Sequence, residues 1–407
     1  MCEAAGPGWA KSGHQRTRAA ATTSPAISVR ANAQTEFRRI GYMDIHSWPS
    51  NQGKAKMKLA FSRSSAIILT LASWALLTST AYAAPFTVST LNDAGAGSLR
   101  QAITDANAAA GADTITFSVS GIIFLSSTLP TLTDAAGLTI DGTGQTVTLS
   151  GSNAVRVMLV AANASLTVMN LTIVDGSATG DYGGGIENNG TTTILDCTFS
   201  HNSATSGFGG GINNRHGGTL TVTNSTFSGN SATSGFGGGI YSAGIGVAIT
   251  NSTFSANIAD LGAGAGIYNG SVAGFILRNT IVANSTGAGN CGGTITNGGN
   301  NLDSAATCGW SSNNGSMSST NPLLGALAFN GGPTQTFALL AGSPAINGVT
   351  FSPPNNAPAT DQRGSARPNG TGYDIGAFEF GASAAPALVG AASRKTQGGA
   401  GTFNLPL

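Results

Sequence analysis

The sequence predicts an all-β fold: a right-handed parallel β-helix, wound as a single-stranded solenoid with a short capping strand and helix at its N-terminal end. Three observations predict it. Two short markers recur in phase about every 27 residues. The runs between them alternate with a period of two and show no helical period, which excludes the helical repeat arrays. The composition suits closely stacked coils, with 59 Gly among 407 residues, abundant Ser, Thr and Asn, and only 9% charged residues. A disordered chain of similar polarity would lack the recurrent Ile, Val and Phe.

The first marker runs Ile194 to Asn202, Val222 to Asn230 and Ile249 to Asn257, with a diverged copy at Ile276 to Asn284 and a forerunner at Val168 to Gly176. Phe199, Phe227, Phe254 and Ile281 follow at steps of 28, 27 and 27 residues. The second marker, Gly183-Gly184-Gly185-Ile186, returns at Gly209–Ile212, Gly237–Ile240 and Gly264–Ile267. Stacking one coil on the next at the ~4.8 Å strand spacing piles like residues into columns. Val168, Ile194, Val222, Ile249 and Ile276 form one internal column, the Phe/Ile set a second, and Ile186 to Ile267 a third. Asn170, Asp196, Asn224, Asn251 and Arg278 form a turn ladder, because Asn and Asp tolerate left-handed backbone and amides can bond from coil to coil. The glycines before each Ile suit a corner with positive φ.

The ends of the chain divide differently. Residues 1–56 lack periodicity and read as a mis-assigned leader before a start at Met57. Residues 57–83 read as a signal peptide, with Lys58 and Arg63, the apolar run Ala66 to Leu77, and Ala81-Tyr82-Ala83 at the cut. The apolar run is short for a bilayer span, so no transmembrane helix is expected in the mature chain. Residues 84–112 read as the N-terminal cap, in which Ser98-Leu99-Arg100-Gln101 opens a short helix. Residues 113–320 form the β-helix, 321–381 a C-terminal closure, and 382–407 a linker with the truncated start of a further module. Export to the cell surface or medium, in association with an outer membrane, is the expected localisation. Residues 1–83 carry 10 Lys/Arg and 3 Asp/Glu, the remainder 8 and 14. An acidic body with one lysine, Lys395, lacks the basic stripe that nucleic acid demands. Cys291 and Cys308 flank a Gly/Asn-rich loop and are expected to close it as a disulfide, for about 3 kcal/mol by chain entropy. Cys197 stands where other coils have Ser225 and Ser252, so it reads as a small core residue.

The paired Gly-Gly-x-Ile and Phe-x-x-Asn blocks resemble the repeats of chlamydial polymorphic membrane proteins, which are surface adhesins. A fuller resemblance, over residues 86–380, is to bacterial β-helix proteins of the choice-of-anchor type. It rests on Leu91 to Ile103, Asn321-Pro322-Leu323-Leu324-Gly325, Asn330-Gly331-Gly332-Pro333-Thr334, Gly342-Ser343-Pro344-Ala345-Ile346, Asp361-Gln362-Arg363-Gly364 and Asp374 to Glu379. The chain departs from that pattern at Asn347, where the family commonly has Asp. The resemblance implies a surface or extracellular setting and no established reaction.

Function is therefore weighed between two classes. The first is a non-catalytic surface protein, adhesin-like or structural, binding a polysaccharide or a host or neighbour surface. The second is a polysaccharide-active lyase or glycoside hydrolase of the pectate-lyase-like kind, since the fold alone does not decide. Hydrolysis needs two carboxylates facing one bond; a pair within about 10 Å in a groove would favour it. The body's acids are scattered singly in sequence, as Asp175, Asp181, Glu187, Asp196, Asp260 and Asp303. By the repeat, Glu187 stacks beside Asn213, Tyr241 and Tyr268, and neither its column nor that of Asp196 pairs carboxylates in adjacent coils. His201 and His216 lack evident partners and read as surface residues; Arg215-His216-Gly217-Gly218 resembles a polygalacturonase Gly-His-Gly element without its aspartates. No catalytic residue, metal ligand or cofactor is assigned. Tyr241, Tyr268, Asn213 and Glu187 are the candidate carbohydrate contacts, since aromatics in a row can meet sugar rings while Asn bonds their hydroxyls. A second aromatic column, Tyr182, Phe208 and Phe236, is expected to pack against the coil.

Overall fold

The computed structural model describes residues 85–350 and 357–383, apart from 216, 262, 263, 273 and 288. The segments expected to be a leader and a signal peptide, and residues beyond 383, lie outside the described residues. The body is a right-handed parallel β-helix of about 8 turns. Each regular coil contributes four short strands, for example Ile186–Asn188, Thr191–Leu195, Thr198–Ser200 and Ser203–Thr205. Repeated coil by coil, these make four parallel stacks of six, nine, eight and five strands, here called the first to fourth faces. Among the described residues no helix is long and apolar enough to cross a membrane.

Burial follows the alternation within each strand. In Thr191–Leu195 the inward Thr192 and Ile194 are buried and the outward Thr191, Thr193 and Leu195 are not. Ile194 pairs in register with Val168 and Val222, and Val222 with Ile249, all four fully buried. Phe199, Phe227 and Phe254 stack with centroids 4.8 and 4.5 Å apart and interplanar angles of 4° and 8°. The column Ile186, Ile212, Ile240, Ile267 holds as read and ends on Cys291.

The fourth copy departs from the sequence reading by one residue. Gly246 pairs with Gly274, a step of 28, so Leu277 and not Ile276 continues the aliphatic column, and Val282 and not Ile281 faces Phe254. Asn279, with φ 50°, takes the turn position assigned to Arg278. The preceding strand, Ile267–Asn269, is still in step at 27, so the extra residue lies in the turn before Gly274. An insertion in a turn shifts phase at little cost, because the turn's residues need not enter the core. Val272, in that turn, is fully exposed.

The turn between second and third faces is the Asn/Asp ladder, left-handed at Asn170, Asp196, Asn224, Asn251 and Asn279, with φ between 47° and 56°. A second amide ladder is fully buried: Asn202 Nδ2 donates to Asn230 Oδ1 at 2.9 Å and Asn230 Nδ2 to Asn257 Oδ1 at 3.0 Å. Asn284 does not continue it; the amide of Ser285 donates to Asn290 Oδ1 instead. Gly183, Gly209, Gly237 and Gly264 turn the corner into the first face at φ 64° to 73°.

At the N-terminal end β1 (Pro85–Val88) adds a parallel strand to the second face. Helix α1 (Leu99–Ala108) follows, with the Gln101 amide donating to the Ser98 hydroxyl and with Leu99, Ala102, Ile103 and Ala106 buried. At the other end the disulfide Cys291–Cys308 is formed, closing a loop of sequence separation 17. The described residues of 321–350 and 357–383 then fold back along the outside of the solenoid as a strap. It contains an antiparallel hairpin, Leu324–Ala328 with Thr336–Leu339, and lies over the turn ladder and third face. Thr198 Oγ1 donates to Gln335 O, Thr226 Oγ1 to Gln362 Oε1, Asn224 Nδ2 to Thr360 O and Asn251 Nδ2 to Asp374 O. The amides of Ala377 and Gly376 donate to Thr253 Oγ1 and Asn279 O. Four successive coils are thus bound by one segment.

Candidate functional site

The four residues singled out from the sequence lie where the register places them: Glu187, Asn213, Tyr241 and Tyr268 are direct neighbours on the first face. The second aromatic column joins them. Tyr182, Phe208 and Phe236 step along the corner before that face at 5.4 and 5.6 Å, and Phe208 and Phe236 also lie 4.6 Å from Tyr241 and Tyr268. All these pairs are within 25° of parallel. Near-parallel rings at such distances overlap in offset stacks, so much of each face is occupied by a neighbour. The five half-buried rings therefore offer a strip made largely of edges. A Cβ at Gly270 would come within 2.5 Å of Tyr241 Oη, so glycine there lets the phenol lie flat on the next coil. Burial, then the neighbouring phenols Tyr268 and Tyr182, raises the Tyr241 pKa, so its hydroxyl stays a donor at neutral pH.

Three charged residues that the sequence reading did not count among the carbohydrate contacts, Arg156, Asp181 and Arg215, complete the site. Arg156 Nη2 bonds Asp181 Oδ2 at 2.6 Å and Glu187 Oε2 at 2.8 Å, while Arg215 Nη1 bonds Glu187 Oε1 at 3.0 Å. Arg156 also donates to the carbonyls of Tyr182 and Gly183. The Arg215 guanidinium lies 4.9 Å from the centre of the Tyr182 ring, a cation–π contact. Burial works to raise the Asp181 pKa, but the bond from Arg156, the Tyr182 amide and the two guanidinium charges outweigh it and hold the carboxyl below its usual value. Arg215 was findable: its amide bonds Asn188 O, which sets it one coil from the end of the Glu187 strand. Arg156 belongs to an irregular early coil where the repeat gives no register.

Tyr182, Phe208, Asn213, Arg215, Tyr241 and Ala243 line a recess of about 100 Å³. Asn213 is 2% exposed, its Nδ2 donates to Phe208 O, and its Oδ1 has no partner. His201 is exposed, and His216 lies outside the described residues. Among the described residues no group of three His, Cys, Asp or Glu is placed to hold a metal ion.

Asp181 and Glu187 bond one nitrogen, so the two bonding oxygens are no farther apart than those two bonds end to end, about 5.4 Å, near the spacing of a retaining glycosidase. The space between them is filled by that nitrogen. A second acidic group, Asp361, Asp374 and Glu379 with Arg363 and Arg367, lies within the strap itself, where each acid is at most 1% exposed.

A family model described as "Right handed beta helix region" matches residues 121–306. The chain is a right-handed β-helix repeat protein. No curated protein matches it. This β-helix repeat protein carries its aromatic strip and its strap on separate turns of the same coils, the strip before the first face and the strap after the second.

Proposed function

We propose that this chain is an exported, cell-surface β-helix repeat protein that acts as a non-catalytic, adhesin-like binding surface and holds a polysaccharide at the aromatic strip. One observation carries the reading: the paired carboxylates that could cleave a glycosidic bond are tied together by the Arg156 guanidinium between them. A scissile bond would have to occupy that same space. Both Glu187 oxygens are engaged on arginines, and Asp181 is held as the anion, so neither is poised as the general acid. What faces solvent is a row of ring edges, a phenol and a guanidinium, groups that bind and orient.

The test is incubation of the purified exported protein with uronic-acid and neutral polysaccharides. Retention on a glycan without release of reducing or unsaturated ends supports the reading. Release of either overturns it in favour of the polysaccharide-active alternative, and that activity should then disappear in Glu187→Gln.

A further inference from the structure

Resting on that reading, we propose that the recess takes the acidic substituent of a glycan, a carboxylate or a sulfate, on the guanidinium of Arg215. Among the described residues Arg215 is the only charged residue in the lining. A guanidinium carries five N–H donors and no acceptor. One donor of Arg215 goes to Glu187, and the rest have no partner among the described residues. Its side chain is 41% exposed, and its guanidinium carbon lies 4.9 Å from the centre of the Tyr182 ring. A planar fork already held in place suits a two-oxygen acid better than a single hydroxyl, because two parallel N–H bonds form without further ordering.

The local charge balance admits an anion. The neighbouring acids do not compete, since Glu187 spends both oxygens on arginines and Asp181 is bound to Arg156. Two guanidiniums face two carboxylates, so an incoming anion meets no net negative charge there. The acidic group would enter the recess while the glycan chain lies along the ring edges outside. The net charge of −6 over residues 84–407 works against non-specific attraction of polyanions, so acid-dependent binding would report a site.

Calorimetric titration of the exported protein with a uronate oligosaccharide, its methyl ester and a sulfated neutral oligosaccharide tests this. The uronate should bind at least about tenfold more tightly than its ester, as expected for a charge-assisted pair. Arg215→Gln should abolish that ratio, and Arg215→Lys should retain part of it as a point charge. The sulfated arm decides between the two acids, and either one binding through Arg215 supports the proposal. Equal binding of acid, ester and sulfate by the wild type, or a ratio that survives Arg215→Gln, overturns this proposal alone. No binding of any glycan overturns both it and the reading on which it rests. Retention of the wild-type near-ultraviolet signal of the stacked tyrosines establishes that each variant is folded.

Discussion

Replacing Asp196 by Asn should stabilise the protein at pH 8 and leave it nearly unchanged at pH 4.5. Asp196 is the one acid in a turn column otherwise made of asparagines, and the strap lies over it. Its carbonyl accepts from Thr334 Oγ1, while its Oδ1 is buried without a partner. Burial is the main force raising its pKa from 3.8 to about 7; the strap's Asp361 adds to this, against the amide of Asn224 and the charge of Arg367. Because the folded value is raised, the acid is neutral in both states at low pH. Between about pH 4 and 7 the unfolded chain releases the proton and the folded chain keeps it, so stability falls as pH rises through that window, then levels off. At 1.36 kcal/mol for each pKa unit the full difference is roughly 4 kcal/mol, an upper bound because the strap can relax. Asparagine keeps the volume, the left-handed turn and the chemistry of its column, and carries no charge. Urea unfolding of both proteins at the two pH values measures the effect: a gain of a few kcal/mol at pH 8 and under about 1 kcal/mol at pH 4.5. Asp374, raised to about 6 mainly by burial, adds a slope of the same sign to both proteins and cancels in the comparison. A gain of equal size at both pH values, or none at pH 8, would refute the reasoning.

Other substitutions probe the remaining devices. Phe227→Ala opens the middle of the three-ring stack and should cost about 3–5 kcal/mol in urea unfolding, whereas Val272→Ser in the exposed turn should change stability by less than about 0.5 kcal/mol. Asn230→Ala removes the acceptor of both the Asn202 amide and its Nδ2, and should cost about 2–3 kcal/mol with faster hydrogen exchange at Asn202. Glu187→Gln leaves Arg156 and Arg215 without their shared carboxylate and should cost about 2–3 kcal/mol by the same unfolding measurement. Replacing Cys291 and Cys308 together by serine should cost about 3 kcal/mol, checked against the oxidised protein in urea.

The repeat made most of the solenoid legible before any coordinates. Where two markers keep step, as from Ile186 to Tyr268, register follows from counting, and the Glu187, Asn213, Tyr241, Tyr268 row is found in place. Counting failed once a turn gained a residue, because Ile276-Leu277 and Ile281-Val282 offer two adjacent apolar side chains and composition cannot choose between them. The charged half of the site was hidden for a related reason. Arg156 reaches Asp181 and Glu187 across coils of unequal length, and a long flexible side chain leaves no periodic trace. The strap was the least legible part. Its contacts with the coils join residues some 136 positions apart, as from Asn224 to Thr360, and nothing periodic in the sequence announces such a meeting.

A stack of coils in which each touches only its neighbours behaves as a chain of links, and an end link can peel away without disturbing those farther in. The strap changes that connectivity. By bonding to Thr198, Thr226, Thr253 and Asn279 it ties four links to one another through a common partner. Loss of the last coil then requires release of the others' outer hydrogen bonds as well. The C-terminal half should thus open as a single block, giving an array built for gradual fraying an all-or-none edge.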